Sequence, residues 1–489
     1  MQERLPAPEF ESPTGSVFPP PAGRRVYCNR NIRLDQVKAV GFDMDYTLAI
    51  YRQSEMDRQS IEATVGKLVE RGYPEALLTM NYRTDFPIRG LLIDRKLGNV
   101  LKMDRYRYVK RAYHGFRQLS REERRSAYHT RRLRPGTGRY HWVDTLYGLS
   151  EVAVYAAVVE QIDTHGGSVD YGQLFSDIRD CADLSHQDGS ILDDVLSDLP
   201  RYVERDPELG VLLHKLRSAG KRLFLLTNSG PEYTEAMMSY LLGGALEEYP
   251  NWRNYFDFAV TAAKKPSFFT GKARFVDAKT SAPTTEPERG QLYLGGNIAD
   301  LERALGYSGD EVLYVGDHIY GDVLRAKKES TWRTAMIIQE MDDELRVLRE
   351  HSVSFERSTS LEQTRDALQD QLREQQARLK RVERKLSDSE LGSEKASFEA
   401  KRVLHRRSID RLRAQLKELD AERAELDGAL DQAFHPFWGS VFKAGSEVSS
   451  FGSQIEQYAG IYTSRATNLA QYSPMHYFRS PRHRMPHEL

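Results

Sequence analysis

Two carboxylates one residue apart, Asp43 and Asp45, stop an apolar run that begins at Val37 (VKAVGFDMDYTLAIY). The run is β-branched and uninterrupted, as in a strand buried on both faces of a parallel sheet. Acids placed just past the carboxyl end of such a strand meet ligand rather than core, because that edge of an open α/β sheet is where ligands bind. The same spacing also serves as a turn, a helix N-cap or a calcium loop, so the pair takes its meaning from what other strands bring to it. Three further strand-like runs end in polar groups of complementary type. RLFLL (222–226) runs into Thr227, Asn228 and Ser229; the run 256–261 is followed by Lys264 and Lys265; and EVLYV (311–315) leads to Asp317, His318 and Asp322. Carboxylates crowded together repel unless a cation neutralises them, and oxygen ligands of this kind suit Mg²⁺. A lysine, a hydroxyl and an amide beside them supply charge and hydrogen bonds to an anion. The set predicts a phosphate site with a carboxylate nucleophile.

The elements that must position these groups follow from periodicity. Leu209, Leu212, Leu213 and Leu216 share one helical face and Gly220 stands where a helix ends. With a further apolar run at 334–338, strands alternating with helices predict an α/β fold with a Rossmann-like, doubly wound parallel sheet. Residues 25–51 and 208–358 are assigned to this core. The intervening 52–207 are too many for a loop and predict an inserted unit with its own structure, including two short strands joined through Lys96, Leu97 and Gly98. Residues 273–295 read as a polar hairpin excursion. Residues 1–24 are Pro-rich and polar, and read as a flexible arm. From 359 to 432, Leu361, Leu368, Leu372, Leu379, Val382 and Leu386 and then Ile409, Leu412, Leu416, Leu419 and Leu426 keep coiled-coil spacing around a Ser- and Gly-bearing break, 387–397. This predicts an antiparallel helical hairpin, with pairing to another chain as the rival. The aromatic-rich segment 433–489 predicts packing on the core or at an oligomer interface.

Composition narrows the function classes. Lys and Arg number 70 against 71 Asp and Glu, so no global basic field invites nucleic acid and any anion binding must be local. Cys28 and Cys181 lack metal-ligand spacing, which predicts neither a disulfide framework nor zinc and fits a reducing cytoplasm. No apolar leader or membrane-length run is present, which predicts no secretion and no membrane partner.

DMDYT, LLTNS, the Lys-Pro at 265–266 and GDHIYGD, in that order, resemble the four motifs of the haloacid dehalogenase superfamily. FDMDYTLAIY, GDHIYGDVLRAKK, RDCADLSHQDGS and FHPFWGSVFKAGS are similar to its cytosolic purine 5′-nucleotidase branch, the IMP- and GMP-preferring type, so the resemblance spans residue 25 to the C-terminus. It implies hydrolysis of purine nucleoside monophosphates, with phosphoryl transfer to a nucleoside as a further reaction, and a homo-oligomer, either a tetramer or a dimer within one. Asp43 would attack phosphorus; Asp45 would protonate the leaving oxygen and then activate water. Thr227 and Lys265 would hold phosphoryl oxygens, assisted by Asn228. Mg²⁺ would sit on Asp43, the Asp45 carbonyl and Asp317, with Asp322 close by. The insertion would cap the substrate, with Tyr147, Arg179, Asp183 and His186 around the purine. Read without the resemblance, Arg179 and Asp183 are an exposed helical i, i+4 pair and Tyr147 a core aromatic. An effector site is implied at Arg134, Lys328, Gln454 and Tyr458. The chain departs from the family at Leu192, where a lysine is expected, and near the effector site at Asp144 and Gln457, which replace a neutral amide and an arginine. The added negative and lost positive charge predict weak activation by an ATP-type ligand. A phosphatase for another metabolite and a non-catalytic coiled-coil scaffold are the competing expectations.

Overall fold

The computed structural model describes residues 19–128, 133–166, 169–319, 330–387 and 394–481. Asp322 and Lys328 lie outside the described residues, as do most of the N-terminal arm and the middle of the 387–397 break. The chain divides into two compact units, 1–342 with 441–489, and 343–440.

In the first unit the apolar runs become strands. In chain order they are β1 (Ala39–Phe42), then β2 (Leu91–Asp94), β3 (Asn99–Met103), β4 (Val109–His114), β5 (Arg117–Gln118) and β6 (Tyr140–Val143) of the insertion, then β7 (Arg222–Leu226), β8 (Phe258–Thr261), β9 (Leu292–Gly295), β10 (Val312–Gly316), β11 (Arg333–Ile337) and β12 (Ile461–Thr463). Seven of them stand parallel in the order β12-β11-β10-β1-β7-β8-β9, with short antiparallel strands added at both edges. β1 is central and buried at all four positions, which is why AVGF carries no polar side chain. Its glycine has a steric cause: a Cβ on Gly41 would lie 2.1 Å from the Phe224 ring. Phe224 in turn stacks on Tyr314, with centroids 6.4 Å apart, in a core cluster that includes Phe268, Phe269, Phe275, Tyr293 and Trp332.

The segment 273–295 differs from its sequence reading. Its last residues, LYLG, form the parallel strand β9 beside β8, and only Phe275–Asp277 and Pro283–Thr284 make the hairpin. The strand is short, ends on one glycine and is followed by another, so its apolar signal is hidden among polar neighbours.

The chain leaves this sheet and returns to it through one ribbon, in which Ile50 and Tyr51 pair antiparallel with Glu204 and Val203. Between these points lie an antiparallel sheet of order β5-β4-β3-β2-β6 and the helices α1 (Gln53–Glu70), α2 (Arg121–Tyr128), α3 (Gly148–Thr164) and α4 (Tyr171–Gln187). Asp170 starts α4 by accepting the amides of Gly172 and Gln173 at 2.8 and 3.0 Å, a helix N-cap. α5 (Pro231–Leu242) follows β7. The final aromatic-rich stretch supplies β12, which joins the parallel sheet beside β11.

In the second unit α6 (Ser352–Leu386) and α7 (Lys395–Phe434) run antiparallel. Ion pairs Arg365–Asp420 and Arg406–Glu383, at 2.8 and 2.9 Å, fix the direction, and Leu361, Val382, Ile409, Leu412, Leu419 and Leu430 are buried. Among the described residues the last α-helix of the first unit is α8 (Ser450–Tyr458).

Candidate active site

The register of the parallel sheet decides which residues can meet. Phe42 lies opposite Val315 on one side and Leu225 on the other, so the segments after β1, β7 and β10 emerge side by side. Asp43 donates its amide to Val315 O at 2.9 Å, and its Oδ1 accepts the Met44 amide at 2.8 Å. Lys265 Nζ lies 2.8 Å from the same carboxylate oxygen and donates to Tyr314 Oη at 3.0 Å. Both side chains are nearly buried, so the pair acts in a medium where charge is poorly screened. The Tyr314 hydroxyl donates onward to Leu226 O at 3.0 Å. Thus the Gly41 gap, the Phe224 ring and Tyr314 together orient the lysine toward Asp43.

Asn228 serves Lys265 from behind. Its Oδ1 accepts the Lys265 amide at 2.6 Å and its Nδ2 donates to the Lys265 carbonyl at 3.1 Å. The structure therefore places Asn228 as a clamp on the lysine's main chain.

The Asp45 side chain is held by a set of hydroxyls. Tyr51 Oη donates to Oδ1 at 2.5 Å, Ser229 Oγ to Oδ2 at 2.5 Å, and Thr227 Oγ1 reaches Oδ2 at 3.5 Å. Tyr51 also shares a hydrogen bond with Tyr233 at 2.9 Å. The turn depends on Tyr46, whose φ of 55° lies in the left-handed region and whose carbonyl accepts Gln339 Nε2 at 3.1 Å. Tyr51 and Tyr233 are absent from the site read in the sequence, and Ser229 is named there only as a polar group after its strand, with no role. Tyr51 closes the founding motif and Ser229 follows Thr227, so their proximity was legible but not their shared target.

Asp317 stands one residue past β10, on the strand next to Asp43. A wholly buried arginine from the insertion reaches it. Arg89 Nη1 donates to the Asp317 carbonyl at 3.0 Å and lies 3.7 Å from its Oδ2. The rest of the guanidinium forms a fork on Glu340, at 2.7 and 2.5 Å, and its plane lies over Phe451, 5.2 Å from the centroid.

The donor set suits a hard divalent cation: the Asp43 and Asp317 carboxylates at adjacent strand ends, and main-chain carbonyl at Asp45. Among the described residues no three acidic, His or Cys side chains converge as a ligand cluster, and Asp45's own carboxylate is committed to hydroxyls. Its contribution to such a site is its carbonyl.

Over this edge, Tyr147 meets Tyr46 edge-on at 4.8 Å and His186 edge-on at 5.4 Å. Burial pushes the Tyr147 hydroxyl well above its ordinary pKa, with Asp45 adding to the effect. Burial also lowers His186, against the opposing pull of Asp183 and Asp45. Arg179 does not pair with Asp183, which is exposed. Its Nε lies 3.5 Å from Glu151 Oε2 and its Nη1 is 3.2 Å from His141 Nδ1. The i, i+4 ion pair is thus replaced by a contact between α3 and α4. Burial pushes the Glu151 carboxyl up to about 7 and His141 down to about 4.

Asp57 on α1 is a second buried acid here, 5% exposed. Among the described residues it accepts only from Gln53 Nε2, at 2.8 Å, and burial pushes its carboxyl from 3.8 up to about 7. The folded state therefore binds more protons than the unfolded chain between these values, and stability falls as pH rises from about 4 to 7. Asp57→Asn is expected to stabilise the protein by roughly 2–4 kcal/mol at pH 8 and by under about 1 kcal/mol at pH 4. Denaturant unfolding at the two pH values checks this; an equal effect at both would mean that Asp57 is not protonated in the fold.

Arg134, Gln454 and Tyr458 line one cavity of about 350 Å³, with Arg105, Arg107, Trp142 and Gln457. Gln454 Oε1 is buried with no hydrogen-bond partner among the described residues. Asp144 is not part of this lining. It follows β6 and faces His318, Arg89 and Arg179, where burial raises its pKa. The negative charge assigned to the effector site from sequence is therefore misplaced, and the expectation of weak activation rests on Gln457 alone.

Similar chains include a 5′-nucleotidase domain-containing protein of Dictyostelium discoideum, 28% identical over 95% of this chain and 74% of that one. The 5′-nucleotidase domain-containing protein 2 of Homo sapiens is 28% identical over 95% of this chain and 85% of its own. Among solved structures, CbbY from Rhodobacter sphaeroides in complex with phosphate covers 62% of this chain and 86% of its own at 14% identity, with a TM-score of 0.24. Residues 26–489 match the model of the 5′ nucleotidase family, and the chain accordingly belongs to that family, as a phosphoric monoester hydrolase.

Proposed function

We propose that the protein is a Mg²⁺-dependent 5′-nucleotidase that hydrolyses purine nucleoside monophosphates of the IMP and GMP type through an aspartyl-phosphate at Asp43. The observation that carries this reading is the Lys265–Asp43 contact of 2.8 Å, two residues from an acid held by three hydroxyls. A carboxylate nucleophile needs a cation that also attracts the phosphoryl group, and an acid nearby whose proton can go to the departing oxygen. Asp43 would attack phosphorus while the bond to O5′ breaks and Asp45 protonates O5′. Water would then attack the phosphorus of the intermediate, Asp45 taking its proton, to release phosphate and free Asp43. Thr227 and Lys265 would hold phosphoryl oxygens, and Asn228 would keep Lys265 in place. Mg²⁺, held by Asp43, the Asp45 carbonyl and Asp317 with Asp322, would neutralise phosphoryl charge when bound.

A purine needs a flat π surface and edge groups that donate and accept. Tyr147 and His186 supply the first, and Arg179, Asp183 and Glu151 the second. A nucleoside hydroxyl in place of water would give phosphoryl transfer from the same intermediate. The insertion would act as the cap that admits one base class.

Phosphate release from IMP, UMP and an aryl phosphate, each with Mg²⁺ and with EDTA, tests the proposal. The expected order is IMP well above UMP, with EDTA abolishing both. Hydrolysis of the aryl phosphate alone would remove the purine assignment, and EDTA-resistant release would remove the metal.

A further inference from the structure

The antiparallel sheet of the insertion concentrates positive charge that the reaction at Asp43 does not use. From residue 102 to 125, nine Lys and Arg stand against three Asp and Glu, a local charge of +6 in a chain whose total is −1. The turn between β3 and β4 places Arg105, Tyr106, Arg107 and Tyr108 all on the surface, with the two tyrosines 50% and 54% exposed. It is a fixed turn. Buried Asp104 accepts the amides of Tyr106 and Tyr108 at 2.9 and 3.0 Å, and Arg107 has a φ of 68°.

α2 then runs back along β4. Arg117 meets Glu123 near its start, at 3.0 Å, and Arg124 reaches the Lys110 carbonyl near the turn, at 2.6 Å. Arg121 and Arg125 are left exposed. Like Arg107, they make no ion pair among the described residues. Burial and the nearby Arg121 and Arg111 lower the pKa of Arg124, which shows how densely the charges are set. Six residues of β4 give the ridge a length of about 20 Å.

We propose that this ridge binds single-stranded nucleic acid, with phosphates on Arg107, Arg121 and Arg125 and bases stacked on Tyr106 and Tyr108. Guanidiniums alternating with exposed aromatic rings suit a strand whose charge is repeated and whose bases are free to stack. Duplex would not offer unstacked bases to the rings. A lipid surface would call for long aliphatic side chains at the tip, where Arg105, Tyr106, Arg107 and Tyr108 stand instead.

Fluorescence anisotropy of a labelled 12-nucleotide oligouridylate with the full chain tests this. Three phosphate contacts predict a log–log salt slope of about −2, hence about 20-fold weaker binding at 200 than at 50 mM NaCl. The triple variant Arg107→Ala, Arg121→Ala, Arg125→Ala is expected to lose at least about tenfold in affinity at 50 mM and to flatten that slope. Tyr106→Ser with Tyr108→Ser is expected to lose about tenfold with the slope kept. Thermal unfolding of each variant serves as the folding control. No binding at 50 mM salt, or full binding by the folded triple variant, would overturn the proposal. Adsorption to phosphatidylserine vesicles without oligonucleotide binding would overturn it in favour of a membrane surface.

Discussion

Asp43→Asn is expected to lower phosphate release by on the order of 10⁴- to 10⁶-fold, the loss seen when a nucleophile is removed from a site that acts as a unit. Asn has nearly the same shape, and its carbonyl oxygen can still accept the Met44 amide that now bonds Oδ1 at 2.8 Å. The substitution removes only the charge and the oxygen proposed to attack phosphorus. Lys265 loses its anion, 2.8 Å away, and is left free to pair with a phosphoryl group instead. Substrate affinity is therefore expected to hold or rise while kcat collapses, a division that separates a lost nucleophile from a damaged fold. Single-turnover phosphate release and nucleotide binding measured on the same preparation check it. Hydroxylamine treatment of the wild-type enzyme during turnover should mark Asp43 as a hydroxamate, read by mass spectrometry. A variant retaining a few per cent of the wild-type rate, with the substitution verified by mass, would show that another group attacks phosphorus.

The strand ends at Asp43, Thr227 and Asp317 could be read from sequence because each follows an apolar run, and in a parallel sheet such runs point their carboxyl ends the same way. Lys265 follows from the same logic. Contacts made across the chain carry no such pattern. Arg89 precedes a glycine and a strand, and nothing local distinguishes it from a surface arginine, yet it is 1% exposed and reaches a carbonyl 228 residues away. Tyr51 reads as the last apolar residue of a motif, whereas its hydroxyl serves Asp45. Asp144 was misplaced because it lies one residue past β6, where the alternation that would put it on the face of Trp142 no longer holds: Trp142 lines the cavity, while the acid interacts with His318 and Arg89. The surface charge of the insertion was likewise hidden in a chain whose total is −1.

Arg89→Met is expected to cost about 3–5 kcal/mol of stability, because it leaves Glu340 half-buried without its partner, and to raise the Mg²⁺ concentration for half-maximal activity about 10- to 100-fold. The two effects have different origins. The first comes from the fork on Glu340, at 2.7 and 2.5 Å. The second comes from Nη1, which holds the Asp317 carbonyl at 3.0 Å and stands 3.7 Å from its carboxylate. Arg89→Lys keeps the charge but cannot span both partners, so it should fall between wild type and Met in both measurements. The double variant Arg89→Met, Glu340→Met separates the two. Removing both members of a buried pair is commonly neutral for stability, so the unfolding midpoint should return toward wild type. If Arg89 orients Asp317, the Mg²⁺ requirement stays high in the double variant, since nothing replaces Nη1. Recovery of both properties together would reduce Arg89 to a counter-ion for Glu340 and leave the orientation of Asp317 to the strand that carries it.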